Sequence, residues 1–240
     1  MTIVEWEERV SATTDCLLKG RTHIKLLEAG CGARSHVRFT ASVYAVGLDV
    51  SKEQLERNYA LQETILGDVQ SHSLPKEEFD VVVCWMVLEH LPRPKDAMLN
   101  LFGSVKPSGV LILAIPNLLS FKGIVTKITP FWLHRFFYRF IKDRRISFPT
   151  YLRLAILPSR VTRFAEENGF SIMLCQFVED PVTRKFRMRV KAINLALAIV
   201  DKVLNAITLG KSQSLLLDNC AIVLKKIANG RDPGYTTLRP

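Results

Sequence analysis

The chain has 240 residues, 48% of them apolar, with a mean hydropathy of +0.13 and a formal net charge of +10. That is enough for one α/β domain with extra elements, and it excludes disorder except at the ends. Five scattered cysteines (Cys16, Cys31, Cys84, Cys175, Cys220) with no C-x-x-C pair exclude a disulfide framework and a zinc site, and suit a reducing cytosol.

The charge is unevenly placed. Residues 1–117 hold 12 basic and 15 acidic residues, residues 118–160 hold 9 and 1, and residues 184–211 hold 7 and 1. The basic character therefore sits in two segments, which are the expected meeting place for an acidic partner. Glu5, Glu7 and Glu8 argue against a signal peptide, and no apolar run of about 18 residues predicts a transmembrane helix.

In chain order, residues 3–18 read as an amphipathic helix, with Val4, Val10 and Leu17 among acids. Ile24 to Leu27 is a short strand, followed by a glycine turn and an expected helix over 35–40. Val43 to Leu48 is a second strand. Ser51 is placed to cap a helix running to about Leu61, with Gln54 reaching back to complete a capping box. Thr64 to Leu66 is a brief strand, and Phe79 to Cys84 is the valine-rich run of a strand covered on both faces. A helix over 94–105 and a turn at Lys106-Pro107-Ser108-Gly109 lead to a strand from Val110 to Ile115. Such alternation argues a parallel, doubly wound sheet.

Beyond it, residues 118–150 are aromatic and basic with no clean strand. Residues 158–168 form a helix closed by Gly169, residues 170–178 a strand, residues 184–209 one long helical insertion and residues 215–224 the last strand. The tail 229–240 is Gly/Pro-rich and expected to be loose.

The chemistry concentrates at two strand ends. Glu28-Ala29-Gly30-Cys31-Gly32 ends the first strand in bare backbone, and Gly47-Leu48-Asp49-Val50-Ser51 ends the second in a carboxylate. A ligand lies against backbone only where no Cβ intervenes. Asp49 is placed to accept from both hydroxyls of a ribose. Asp68 ends the third strand, where it can accept from an adenine amino group while the Val69 amide faces a ring nitrogen. A dinucleotide fold wants G-x-G-x-x-G, and here the last position is Ser35. S-adenosylmethionine has no phosphates and needs only the first part of that turn, with an acid such as Glu28 for its ammonium side.

These runs, with Gly67-Asp68-Val69, Phe79-Asp80-Val81-Val82-Val83-Cys84, Glu89-His90-Leu91 and Lys106-Pro107-Ser108-Gly109-Val110-Leu111, resemble the class I S-adenosylmethionine-dependent methyltransferases, in particular their bacterial small-molecule and lipid branch. The resemblance covers roughly residues 20–120, and residues 158–178 and 215–226 resemble the family's last helix and closing hairpin. Ser108 departs from the Pro-Gly-Gly usual there. The resemblance implies a Rossmann-like seven-stranded sheet of order 3-2-1-4-5-7-6 with strand 7 antiparallel. It implies S-adenosylmethionine as cofactor, held by Glu28, Ala29, Gly30, Cys31, Gly32, Asp49, Val50, Asp68 and Val69, with Trp85 and Met86 along its methionine portion. Some relatives that methylate quinone precursors or RNA ends use a Glu-x-x-Glu-His metal site after strand four; here the first position is Met86, which implies no metal.

Methyl transfer needs alignment, and a base only where the acceptor is an unactivated hydroxyl or a protonated amine. His90 is the best-placed candidate; the structural alternative, of equal weight, is that Glu89-His90 caps or orients a helix.

The aromatic-basic segment contains Trp132, His134, Arg135, Phe136, Phe137, Tyr138, Arg139 and Phe140. Arg135 and Arg139 share one face with Lys142, and the aromatics the other, a pattern suited to an anionic membrane interface. Trp132, His134, Arg135 and Tyr138 are the candidate substrate lid; packing as a cap on the sheet is the structural alternative. The expected organisation is one domain over 1–228. It comprises a cofactor half (20–120), a lid insert (118–157) and a helical insertion between strands 6 and 7 (184–211).

The resulting expectation is an S-adenosylmethionine-dependent methyltransferase acting on an O or N atom of a small apolar or lipid-linked acceptor. It would be cytoplasmic, with peripheral contact to the inner face of an anionic membrane. The alternatives are a catalytically silent cofactor-binding adaptor and an RNA methyltransferase. Against nucleic acid, Cys84-Trp85-Met86-Val87 stands where base-amino methyltransferases carry an Asn/Asp-Pro-Pro-Tyr/Phe run. The oligomeric state is left open.

Overall fold

The computed structural model describes residues 2–128, 150–208 and 214–228. The chain begins with α1 (Ile3–Leu17), started by a capping box in which the Thr2 hydroxyl accepts from the Glu5 amide and the Glu5 carboxylate accepts from the Thr2 amide. Next come β1 (His23–Ala29), β2 (Ser42–Asp49), α2 (Lys52–Glu56), β3 (Glu63–Leu66) and β4 (Phe79–Trp85). They are followed by α3 (Pro94–Ser104), β5 (Val105–Pro116) and α4 (Phe121–Ile128). The last elements are α5 (Pro158–Glu167), β6 (Phe170–Val178), α6 (Pro181–Arg189), α7 (Lys191–Ile207) and β7 (Asn219–Lys226).

The seven strands lie in the order β3-β2-β1-β4-β5-β7-β6. Pairs from β3 through β5 are parallel, and β7 runs antiparallel to both β5 and β6. This is the expected Rossmann-like sheet.

Side-chain alternation divides the core in two. Leu27, Val82, Cys84, Leu111 and Leu113 face α3 and α5, meeting Met98, Leu101, Val161 and Ala165. Leu26, Val81, Val83, Val110 and Ile112 face the other way, onto Trp6 and Val10 of α1. Every residue of β4 is buried, as its valine run predicts.

Four elements differ from the sequence reading. Residues 35–40 form no helix, because their amides are taken by α1 side chains: Arg38 donates to Ser11 and Thr40 to Asp15. Ser51 does cap α2, accepting from the Gln54 amide, but the helix ends at Glu56. Just beyond it, Asn58 donates to the Gly32 carbonyl and accepts from the Ala60 amide, which commits the chain to a turn. The insertion after β6 is two helices, α6 and α7, broken at Val190. The last strand starts at Asn219, because the preceding backbone bonds elsewhere: Leu215 donates to Asp201, and the Asp218 carbonyl accepts from Asn117.

The Lys106-Pro107-Ser108-Gly109 turn sits inside β5. Phe79 pairs with Val105 and Val81 with Val110, so residues 106–109 bulge out opposite Asp80.

Candidate functional site

The parallel strands β1, β2, β3 and β4 point their carboxyl ends to one edge, where a cavity of about 390 Å³ opens. Open α/β sheets hold ligands at such an edge. Its walls come from the three strand ends flagged by the sequence and from the segment after β4: Gly30 and Gly32, Asp49 and Val50, Asp68 and Val69, then Met86, Val87 and His90.

The first wall is glycine by necessity. Gly30 has φ +67, and a Cβ there would lie 2.3 Å from a Val87 methyl carbon. Its amide and that of Cys31 both donate to the Leu48 carbonyl, at 2.6 and 3.3 Å, pinning the turn to β2. Gly32, at φ +54, is held in a left-handed conformation, and a Cβ there would meet only Gln54 Oε1, at 4.0 Å.

The carboxylates are held by backbone. Asp49 accepts the Gly32 amide at 2.9 Å through one oxygen and the Ser51 amide at 2.8 Å through the other. Asp68 accepts from the Gln70 amide at 2.9 Å, and the Gln70 side-chain amide spans both of its oxygens. Neither carboxylate meets a cation in these contacts, and no Lys or Arg lines the cavity among the described residues. A lining that carries two carboxylates fits a nucleoside bearing positive charge.

Past β4 the backbone turns sharply. Met86 has φ +55, a left-handed conformation unusual for a side chain with a Cβ, and its amide donates to the Ala114 carbonyl. A single 3-10 turn, Leu88–His90, then brings His90 to the cavity wall. His90 Nδ1 lies 3.5 Å from the Thr150 hydroxyl, and its Nε2 lies 3.9 Å from a Glu89 oxygen. Glu89 is buried, burial pushes its carboxyl up to about 8, and its second oxygen has no hydrogen-bond partner among the described residues. The Glu89 carbonyl accepts the Tyr151 amide at 2.8 Å, which brings Tyr151 to the cavity.

Of the residues expected to hold a cofactor, Gly30, Gly32, Asp49, Val50, Asp68, Val69 and Met86 line the cavity; Glu28, Ala29, Cys31 and Trp85 are not among its walls. Glu28 shares a strand face with Leu26 and is buried, where its carboxylate accepts from the Ser35 hydroxyl; burial raises its pKa, opposed by that bond. Cys31 is buried, and burial raises its thiol to about 12, so it fills space rather than reacting. Trp85 lies on the α1 side, 5.0 Å from the Trp6 ring and stacked on His36. Leu48, Gln54, Gly67, Gln70, Leu91, Pro92 and Tyr151 also line it, and none of these was expected from sequence to hold a ligand. Tyr151 is brought in by a contact 62 positions away in the chain, for which no local pattern exists. Trp132, His134, Arg135 and Tyr138 lie outside the described residues.

Sheet order, glycine turn and paired acidic strand ends define a Rossmann-like nucleoside-binding protein. Residues 27–113 match the family profile described as a methyltransferase domain. Over 92% of its length the chain also superposes on a S-adenosylmethionine-dependent methyltransferase from Archaeoglobus fulgidus, covering 94% of that chain with a TM-score of 0.53 and 18% identity. The fold is thus the one seen in that methyltransferase, and the segment that matches the methyltransferase-domain profile runs from β1 through most of β5, the part of the chain that builds the cavity.

Among curated relatives, the mitochondrial ubiquinone biosynthesis O-methyltransferase of Schizosaccharomyces pombe is 38% identical over 102 residues, 38% of this chain and 37% of that protein. The ubiquinone biosynthesis O-methyltransferase of Coxiella burnetii is 24% identical over 165 residues, 65% of this chain and 66% of that protein. The chain thus spans between 37% and 66% of the length of these relatives.

Proposed function

We propose that this protein transfers a methyl group from S-adenosylmethionine to an oxygen atom of a small apolar or lipid-linked acceptor. The observation that carries this reading is the cavity itself: bare glycine backbone at one strand end and fixed carboxylates at the next two, with no cationic side chain in its lining among the described residues. The similarity to ubiquinone biosynthesis O-methyltransferases supports oxygen over nitrogen, and a lipid-linked ring as the class of acceptor.

When bound, S-adenosylmethionine supplies a methyl carbon already activated by a cationic sulfur. The residues of the chain align and deprotonate. Asp49, its rotation locked by the Gly32 and Ser51 amides, accepts from the two ribose hydroxyls. Asp68 accepts from the adenine amino group and the Val69 amide faces a ring nitrogen. Met86 and Val87 form the wall along the methionine portion. His90 takes the proton of the acceptor hydroxyl as the methyl–oxygen bond forms. Thr150 and Glu89 on either side of the ring set its orientation. One domain over 1–228 carries this site, with the basic segments covering the acceptor and meeting an anionic membrane. No helix among the described residues is long and apolar enough to cross a bilayer.

The test is incubation with methyl-labelled S-adenosylmethionine and fractionated cell extract. Label in the lipid or small-molecule fraction, stable to base as an ether, is the expected result. Label confined to RNA, or none in any fraction, would overturn the reading.

A further inference from the structure

The insertion between β6 and β7 presents an exposed apolar face. In α7, Leu195, Ile199 and Val203 recur every four residues and are 64%, 54% and 50% exposed, with Ile207 at 73%. The helix is seated by its opposite side, where Asn194, Leu197, Ala198, Asp201 and Leu204 are half-buried. In α6, Phe186 and Met188 are also exposed. An apolar face of this extent on a surface marks an interaction site.

Its borders are cationic. Arg184, Lys185, Arg189 and Lys191 are exposed around the α6–α7 junction, and Lys202 flanks the apolar stripe of α7. Arg187 is drawn inward, bonding Glu179 at 2.6 Å, and Arg184 lies 3.8 Å from the other oxygen of that carboxylate. The one acidic residue in 184–211 is Asp201, whose carboxylate already accepts from the Ser214 hydroxyl and the Leu215 amide. An apolar arc edged by long cationic side chains is the arrangement that lies flat in a bilayer interface, the stems buried and the ammonium groups at the phosphates. A second copy of the same face would set these cations against one another, whereas an anionic lipid surface complements them.

The position is also telling. Through β7, β6 runs parallel to β5 and β4, so α6 leaves the same edge of the sheet at which the cavity opens. Asp180 fixes that departure: its carboxylate caps α6 and pairs with Lys122 of α4 at 2.7 Å.

We propose that α6 and α7 form a docking element that lies in the plane of an anionic membrane. Phe186, Leu195, Ile199 and Val203 face the acyl chains, and Lys185, Arg189, Lys191 and Lys202 meet the headgroup phosphates. The proposal rests on the membrane part of the reading above and not on methyl transfer, so it stands if the acceptor proves water-soluble. The same edge then faces the lipid, which shortens the path of a lipid-linked acceptor to the cavity.

The test is flotation of the full chain with vesicles of phosphatidylcholine alone or mixed with phosphatidylglycerol, at low and high salt. One variant is the triple substitution Leu195→Ser, Ile199→Ser, Val203→Ser; another is Lys185→Glu, Arg189→Glu, Lys191→Glu. Calorimetric binding of S-adenosylmethionine checks that each still folds. Binding to the mixed vesicles that falls with salt, and drops roughly tenfold or more in both variants, is expected. Equal partition onto neutral vesicles, no binding to either, or variants that bind like the parent would overturn the proposal. So would a dimer, seen by light scattering, that the triple substitution dissolves.

Discussion

The Asp49 carboxylate accepts the Gly32 amide at 2.9 Å, joining the end of β2 to the glycine turn that follows β1. One bond thereby fixes both halves of a nucleoside site: the acid that meets the sugar and the bare backbone beside it. With its other oxygen on the Ser51 amide, Asp49 is set before any ligand arrives, and ordering the side chain costs nothing further on binding. Asp49→Ala removes the acceptor and frees the turn. It should weaken S-adenosylmethionine binding by roughly 1–3 kcal/mol, the scale of a charge-assisted hydrogen bond, as read by calorimetry. Unchanged affinity would place the sugar elsewhere.

His90 is tested by the rate rather than by binding. Replacement by Gln keeps a polar side chain at the cavity wall but removes the proton acceptor. Label transfer into the acceptor fraction should slow by roughly 10²–10⁴-fold with S-adenosylmethionine affinity unchanged. A variant as fast as the parent would mean the acceptor arrives already ionised.

How much of this was visible in the sequence depends on how local each signal is. The strands follow from apolar runs and turn residues close together in the chain, their order came only with the family resemblance, and Asp49 and Asp68 were visible because each directly ends a strand. Which side a residue takes was harder. Trp85 directly follows a strand segment, as Met86 does, yet β4 includes it, and alternation puts it with Val81 and Val83 on the α1 side. Counting the period through one more residue would have separated the pair. Glu28 follows the same logic with Leu26. The false helix over 35–40 and the overlong α2 failed for another reason: side chains of α1 and Asn58 claim those amides and carbonyls, and such partners lie 25 to 27 positions away. Tyr151 was invisible because the Glu89 carbonyl that brings it to the cavity is remote in sequence.

Ser108 offers a test of that reading of local strain. It sits at φ +58, a left-handed conformation costly for any residue with a Cβ, at the position where the related pattern carries glycine. The next residue cannot take over the role, since a Cβ on Gly109 would lie 2.8 Å from the Lys106 carbonyl oxygen. Ser108→Gly should raise stability by about 0.5–1 kcal/mol in urea denaturation, the relief of strain exceeding the added freedom of the unfolded chain. A loss of stability would contradict it.

Glu89 sets a pH dependence of stability. Burial raises its carboxyl from 4.5 to about 8 in the folded state. Between those values the folded protein holds a proton that the unfolded chain has released, so this group's contribution is full at low pH and is lost as pH rises through 8. The limiting slope for one proton is about 1.4 kcal/mol per pH unit. Glu89→Gln cannot ionise, so its stability relative to the parent should climb across that window and level off above it, measured by denaturation at a series of pH values. Parallel curves for the two proteins would show that Glu89 titrates normally.

The most direct measurement is a calorimetric titration of the whole chain with S-adenosylmethionine and, separately, with NAD. A cavity of glycine backbone and fixed carboxylates, behind a turn with Ser35 where a dinucleotide fold has its last glycine, should bind S-adenosylmethionine one to one and leave NAD unbound. Binding of NAD, or no binding of S-adenosylmethionine, would contradict the assignment of this site.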